Sequence, residues 1–285
     1  MITLSNKHLS ISVNPMGAEL RSITDANNHT EYMWQADPKW WGRSAPVLFP
    51  IVGKVKDDTL HVGNDSFKMT QHGFARDFEF VYTKRSAETA TLLLTANAKT
   101  LERFPYSFTL EIQYTLKDNR VICMWKVTNT DQQEIYFSIG AHPGFNLLHP
   151  MHEYHILLHG NQQRIERMML QNGLFMPDKT PFQSLPIELN QDIFNEDALV
   201  FEAHNITGAD LAHTRSAHSV KMRWQNFDYL GLWAPKGCEQ FVCIEPWCGR
   251  ADDANGHTDI KTKPGIHVLQ PGRVFERWYS MEFTC

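Results

Sequence analysis

The chain has 285 residues, 42% of them hydrophobic and 12% aromatic, enough to bury a sizeable core in one large β or α/β domain or two small ones. Its 27 basic and 32 acidic residues give a formal net charge of -5, and no long basic run occurs, so nucleic acid is not an expected partner. The opening MITLSNKHLSISVNP has no charged stretch followed by an apolar one, so neither a signal peptide nor a membrane span is expected.

In chain order the hydrophobic pattern is mostly of period two, the mark of strands with one buried face. HLSISVNP alternates first. PKWWGRSAPVLFPIVGKVKDD breaks the alternation with two tryptophans, Arg43, three prolines and Lys54. It reads either as a loop over the core with side chains aimed at a ligand or as an aromatic-rich corner that packs. TATLLLTAN alternates again, and TLERFPYSF reads as a turn or short helix limited by Pro105. FTLEIQYTLKDNRVICMWKVTNT reads as two strands joined at KDNR. NQDIFNEDAL holds another turn, and SVKMRWQNFDYLGLWAP, QFVCIEPW and RWYSMEF complete the series. Turn signals such as NPMGAE, HVGNDS, APKGCE and QPGR fall between these runs. No repeat or low-complexity linker divides the chain. The pattern predicts one all-β domain over residues 1–285, a β-sandwich or related architecture with few short helices.

The cysteines are Cys123, Cys238, Cys243, Cys248 and Cys285, an odd number with no CxxC spacing. Nothing in that spacing demands a disulfide, and a reducing cytoplasm is the expected setting.

Several polar residues stand in apolar or Gly/Pro-rich surroundings. Gln71, His72 and Arg76 lie in QHGFAR, His142 in SIGAHPGFN, Asp197 in FNEDALVF and Glu245 in VCIEPWCG. A carboxylate on or beside a buried strand is expensive without a partner, so Glu245 needs either a salt bridge or a task. Taken singly, each histidine suits a core residue bonded to a backbone carbonyl, and Asp197 suits a turn cap. Taken together, two histidines, a glutamate, an aspartate and basic groups suit an acid–base site for a polyhydroxy ligand. Asp, Arg and Gln can hold vicinal hydroxyls, and Trp40, Trp41, Trp233 or Trp247 can offer a platform for the C–H face of a sugar. An anomeric centre needs only proton transfer: a base for the O1 proton and an acid for the ring oxygen, roles that Glu and His suit.

GAELRSI, WGRSAPVLFPIVGKVKDD, QHGFARDFEF, GAHPGFN, NEDALVF, NFDYLGLWAP, CIEPWCG and LQPGRVFERWYSMEF occur in this order across nearly the whole chain. In this series the chain resembles the aldose 1-epimerase (galactose mutarotase-like) family, and within it a LacX-like bacterial branch related to hexose-6-phosphate epimerases. The resemblance implies a galactose mutarotase-like β-supersandwich with an open groove and no cofactor. It places the general base at Glu245, the general acid at His142 and a sugar-orienting histidine at His72. It puts sugar contacts at Asp197, Gln71, Arg76 and Arg43, with Lys54 where some relatives carry a sugar-binding arginine; Trp233 is the stacking face. Glu196 and Asp228 compete with Asp197 for the hydroxyl-binding role. Arg273 stands after the late PG, where many members have Glu, and takes no catalytic role.

The ligand that follows is a small-molecule sugar, a free hexose or an aldose phosphate, handled by a monomer or homodimer. Two other readings compete. AHPGFNLLHPMHEYHILLHG holds His142, His149, His152, His155 and His159, at spacings that would suit a metal site on a helix, but its prolines and the β-like YHILLHG oppose a single helix. A sugar-binding protein without catalysis would use the same groove, but has no need of an acid and a base flanking an anomeric carbon.

Overall fold

A computed structural model describes residues 1–160, 165–182, 185–256 and 259–284. Two antiparallel sheets hold most of the strand residues. The larger has nine strands, in the spatial order Ile187–Glu188, Tyr154–Gly160, Ile206–His213, Ser219–Trp224, Val274–Thr284, Arg120–Asn129, Phe108–Lys117, Thr89–Thr95 and Val81–Arg85. The smaller has seven: Ile139–Gly140, Phe241–Cys248, Tyr229–Trp233, Leu199–Glu202, Ile165–Gln171 and Leu174–Phe182 in order, with Gly144–Asn146 also paired to Phe241–Cys248. A three-stranded N-terminal sheet and two short ribbons complete the strands.

The alternation expected at FTLEIQYTLKDNRVICMWKV is realised residue by residue. Phe108, Leu110, Ile112, Tyr114 and Leu116 face inward on one strand, and Val121, Cys123, Trp125 and Val127 on its hairpin partner. Lys117 pairs with Arg120, so Asp118 and Asn119 form a two-residue turn, with Asp118 at φ 54°. The inner faces of the sheets share one large core cluster. TLERFPYSF yields only the four-residue helix Ala98–Leu101, closed by a capping box between Asn97 and Thr100. Among the described residues no helix is long and apolar enough to cross a membrane.

Leu174–Phe182 is a strand that the pattern hid, because Pro177 and Pro181 read as breakers. It lies at the edge of the seven-stranded sheet, where a missing N–H breaks no ladder. PKWWGRSAPVLFPIVGKVKDD holds no long strand: it crosses the molecule as irregular chain with isolated bridges and ends in a single turn at Lys56–Asp58.

Candidate active site

The Phe241–Cys248 strand is buried along its whole length because both of its faces are covered. Period two divides its side chains. Val242, Ile244 and Cys248 join the main core, whereas Phe241, Cys243 and Trp247 join small apolar clusters on the opposite face. Glu245 falls on that opposite face, between Cys243 and Trp247, and lines a pocket of about 510 Å³. Two glycines make room there. A Cβ on Gly231, which pairs with Glu245, would lie 2.6 Å from the Trp247 ring, and one on Gly140 2.7 Å from it.

His142 lies in the link between Ile139–Gly140 and Gly144–Asn146, both paired to the Glu245 strand. Its Nε2 lies 3.3 Å from Glu245 Oε2. Trp41 stacks on the imidazole at 4.7 Å, while Trp233 and His72 meet it edge-on at 5.6 and 5.4 Å. Burial pushes Glu245 well above the usual carboxyl range; the adjacent Trp247 N–H opposes this and Asp197 reinforces it. Burial also lowers His142 to about 3, with the Arg76 charge adding to the fall. Both shifts favour the neutral pair, with the proton on the carboxyl.

His72 occupies a left-handed turn, at φ 67°. Its backbone N–H donates to Gly53 O at 2.7 Å, and Gly53 N–H donates back to its Nδ1 at 3.2 Å. That bond leaves the proton on Nε2, which lies 3.3 Å from the Gln71 amide. Burial, His142 and Arg76 all lower its pKa, so His72 is a neutral donor at the pocket wall. Gly73, at φ 71°, lets the turn pack on the Phe49–Pro50 backbone, where a Cβ would lie 2.3 Å from Phe49 O.

Arg76 stands on the short turn Ala75–Asp77 and donates from Nη2 to Gln71 O at 2.7 Å. Burial and the nearby Arg43 charge lower its pKa, opposed by Asp77 and Glu19. Asp197, at φ 81°, accepts from Ala198 N–H at 2.8 Å through Oδ1 and lines the pocket. The two competing carboxylates lie elsewhere: Glu196 pairs with Arg167 at 3.7 Å and Asp228 with His267 at 3.0 Å.

Glu245, His142, His72, Arg76, Gln71, Asp197, Lys54 and Trp233 thus line one pocket. Arg43 does not. Its guanidinium donates to Arg76 O at 3.1 Å and to Asp77 at 2.6 Å, bracing the turn that carries Arg76. The sequence also left out Asn172, Gly173 and Phe175 on the pocket rim. Asn172 and Gly173, at φ 54° and 78°, form the turn between two strands of the smaller sheet, and the dipeptide Asn-Gly was the available signal.

The five histidines from His142 to His159 do not gather on one helix. His155 and His159 share a face of the Tyr154–Gly160 strand; His159 pairs with Asp210 at 2.9 Å and His149 stacks on His213 at 4.1 Å. Cys123, Cys238, Cys243 and Cys248 are free and buried, and Cys285 lies outside the described residues.

An antiparallel β-sandwich carrying a carboxyl–imidazole pair at the floor of a tryptophan-framed, polar pocket is the class that this fold and site define. The chain belongs to the aldose 1-epimerase family, whose model matches residues 1–282. Over 98% of both chains it is 29% identical to the chromosomal protein LacX of Lactococcus lactis subsp. lactis. A galactose mutarotase-related enzyme from Lactobacillus acidophilus superposes with a TM-score of 0.95 at 30% identity, covering 100% of this chain and 97% of that one. A galactose mutarotase-like protein from Lactobacillus casei superposes at 0.96 with 29% identity over both whole chains. The galactose mutarotase-like sandwich expected from the sequence is the fold observed.

Proposed function

We propose that the protein is a cofactor-free aldose 1-epimerase that interconverts the α and β anomers of a hexose or related aldose. The observation that carries this reading is the 3.3 Å contact between His142 Nε2 and Glu245 Oε2, facing a pocket of about 510 Å³. In the reaction Glu245, as carboxylate, takes the O1 proton while imidazolium His142 gives a proton to the ring oxygen. The C1–O5 bond breaks, O1 becomes the aldehyde oxygen, and C1–C2 rotation presents the other face. Ring closure returns both protons. The cyclic sugar needs carboxylate and imidazolium, and the open-chain sugar leaves carboxylic acid and imidazole. These two states differ by one proton across a single short contact, and the neutral state favoured by burial is the one the ring-opened sugar requires. His72 Nε2–H, Arg76 and Asp197 hold hydroxyls, and Trp41 and Trp233 face the C–H side of the ring.

The test is the rate of anomer interconversion by NMR exchange, with glucose, galactose and glucose 6-phosphate, for the wild type and Glu245→Gln. Acceleration by the wild type alone is expected. Line broadening of a sugar without acceleration would replace this reading with a non-catalytic carbohydrate-binding protein.

One observation favours a second reading, an epimerase of an aldose phosphate. Lys54 lines the pocket, its ammonium makes no hydrogen bond or ion pair among the described residues, and Arg76 lines the same pocket. Two cations at one pocket suit a dianion. A preference for glucose 6-phosphate that Lys54→Gln removes would select this substrate class.

A further inference from the structure

Three ligand atoms of different kinds converge beneath the pocket floor. A ring nitrogen of His142, the Cys243 thiol and a Glu245 carboxyl oxygen all lie within 4.8 Å of one another. The residues are 8%, 0% and 1% exposed. Cys243 and Glu245 stand two apart on one strand and so share its pocket face. Cys243 takes no part in the sugar chemistry.

The geometry is close to that of a metal centre. A tetrahedral zinc ion with nitrogen and oxygen ligands at about 2.0–2.2 Å holds them roughly 3.4 Å apart. His142 Nε2 and Glu245 Oε2 already stand at 3.3 Å. The thiol, within 4.8 Å of both, has to close by at most about 1 Å to reach sulfur–zinc bonding distance. Among the described residues His142 Nδ1 has no hydrogen-bond partner, so Nε2 can offer its lone pair while Nδ1 holds the proton.

The other two clusters of ligand type lack this freedom. In His149–Glu153–His213, Nδ1 of His213 accepts from the Ser216 and Arg215 amides at 2.8 and 3.3 Å. That keeps the proton on Nε2, which faces Glu153 and would have to bind the ion. In Asp228–Cys248–His267, the Arg277 guanidinium stands beside the thiol and opposes a second cation.

We propose that His142, Cys243 and Glu245 form a site for a soft divalent cation of the zinc type, with its fourth coordination position open to the pocket. Cys243 binds as thiolate and releases its proton to solvent. The mixed nitrogen, sulfur and oxygen set selects zinc or cobalt over magnesium or calcium. The ion occupies the acid and the base together, so on the epimerase reading the metal-bound protein is inactive.

Cobalt titration of the metal-free protein tests the site without any sugar, so its outcome is independent of whether the protein is an epimerase. One cobalt per chain, a thiolate-to-cobalt charge-transfer absorption and its displacement by zinc are expected, with no competition from magnesium. The absorption should vanish in Cys243→Ser and Cys243→Ala and persist in Cys248→Ala. Glu245→Gln, which keeps the thiol, should retain the absorption at an affinity at least ~10-fold weaker. Zinc should raise the melting temperature of the wild type and leave both Cys243 variants unmoved, and the melts also verify that those variants fold. No absorption in the wild type, an absorption that survives both Cys243 substitutions, or one lost in Cys248→Ala would overturn the proposal.

Discussion

Glu245 sits where a carboxyl group costs free energy, on a central strand 1% exposed and pressed between Cys243 and Trp247. What offsets that cost within the chain is the contact with His142 and the nearby Trp247 N–H. If the pair acts as one proton-transfer unit, each single substitution should remove most of the rate. Glu245→Gln and His142→Asn should each slow anomer exchange by roughly 10²–10⁴. The double variant should fall little further, because one half cannot complete the transfer without the other. Losses that multiply would mean two independent roles. Glu245 and His142 were legible in the sequence because each interrupts an apolar or small-residue run. The choice of Asp197 over Glu196 and Asp228 was not, since all three sit in similar polar turns and only the chain path separates them. Arg43 illustrates the same limit: sequence reveals an arginine in an irregular, aromatic-rich stretch, and only the fold decides whether it faces the pocket or braces Arg76 from behind.

At the scale of the element, the site depends on two turns more than on any strand. The His72–Gly73 turn packs against the Phe49 backbone, and Gly17 packs against Arg76, where a Cβ would lie 2.7 Å from the carbonyl oxygen. Gly73→Ala should therefore destabilise by more than the about 1–3 kcal/mol of a strained left-handed residue, since the clash is with backbone. Gly63→Ala, also at positive φ but with nothing within 4 Å, should cost only about 1 kcal/mol. Urea midpoints for the two variants measure the difference, and equal midpoints would mean that the turn yields freely. Arg43→Leu belongs to the same element. Its ion pair with Asp77 is half exposed, so stability should change by at most about 1 kcal/mol. Steady-state exchange kinetics should instead show KM raised several-fold with kcat within about twofold, because Arg76 is loosened while the acid–base pair is untouched. A fall confined to kcat would count against the bracing role. Strands with clean alternation were legible at this scale; Leu174–Phe182 was not, because its prolines are tolerated only at a sheet edge, and edge position is a property of the assembled sheet.

The whole molecule adds what no local pattern contains: the pocket lies on the face of the seven-stranded sheet turned away from the main core, so residues more than 200 positions apart, from Trp41 to Trp247, share one wall. The sandwich class was readable from many short alternating runs, whereas sheet order and the side on which the pocket opens depend on long-range pairing. The same assembly buries a histidine far from the pocket. His218 lies 3% exposed at the end of the larger sheet, with its Nδ1 2.9 Å from Tyr154 Oη and its ring stacked on Tyr32. Burial, with the neighbouring His149 and His213 adding to it, lowers its pKa from 6.5 to about 4. The unfolded chain then binds this proton more readily than the folded one. The stability associated with neutral His218 is fully present above about pH 6.5 and declines as the pH falls towards 4, at up to about 1.4 kcal/mol per unit. His218→Gln removes that proton uptake but loses packing, so it should be the less stable protein at pH 7.5. Its deficit against the wild type should shrink by about 2–3 kcal/mol between pH 7.5 and 4.5 as the wild type alone takes the penalty. Urea unfolding of both proteins across that range measures it, and parallel stability curves would show that His218 titrates in the folded protein as it does in the unfolded chain.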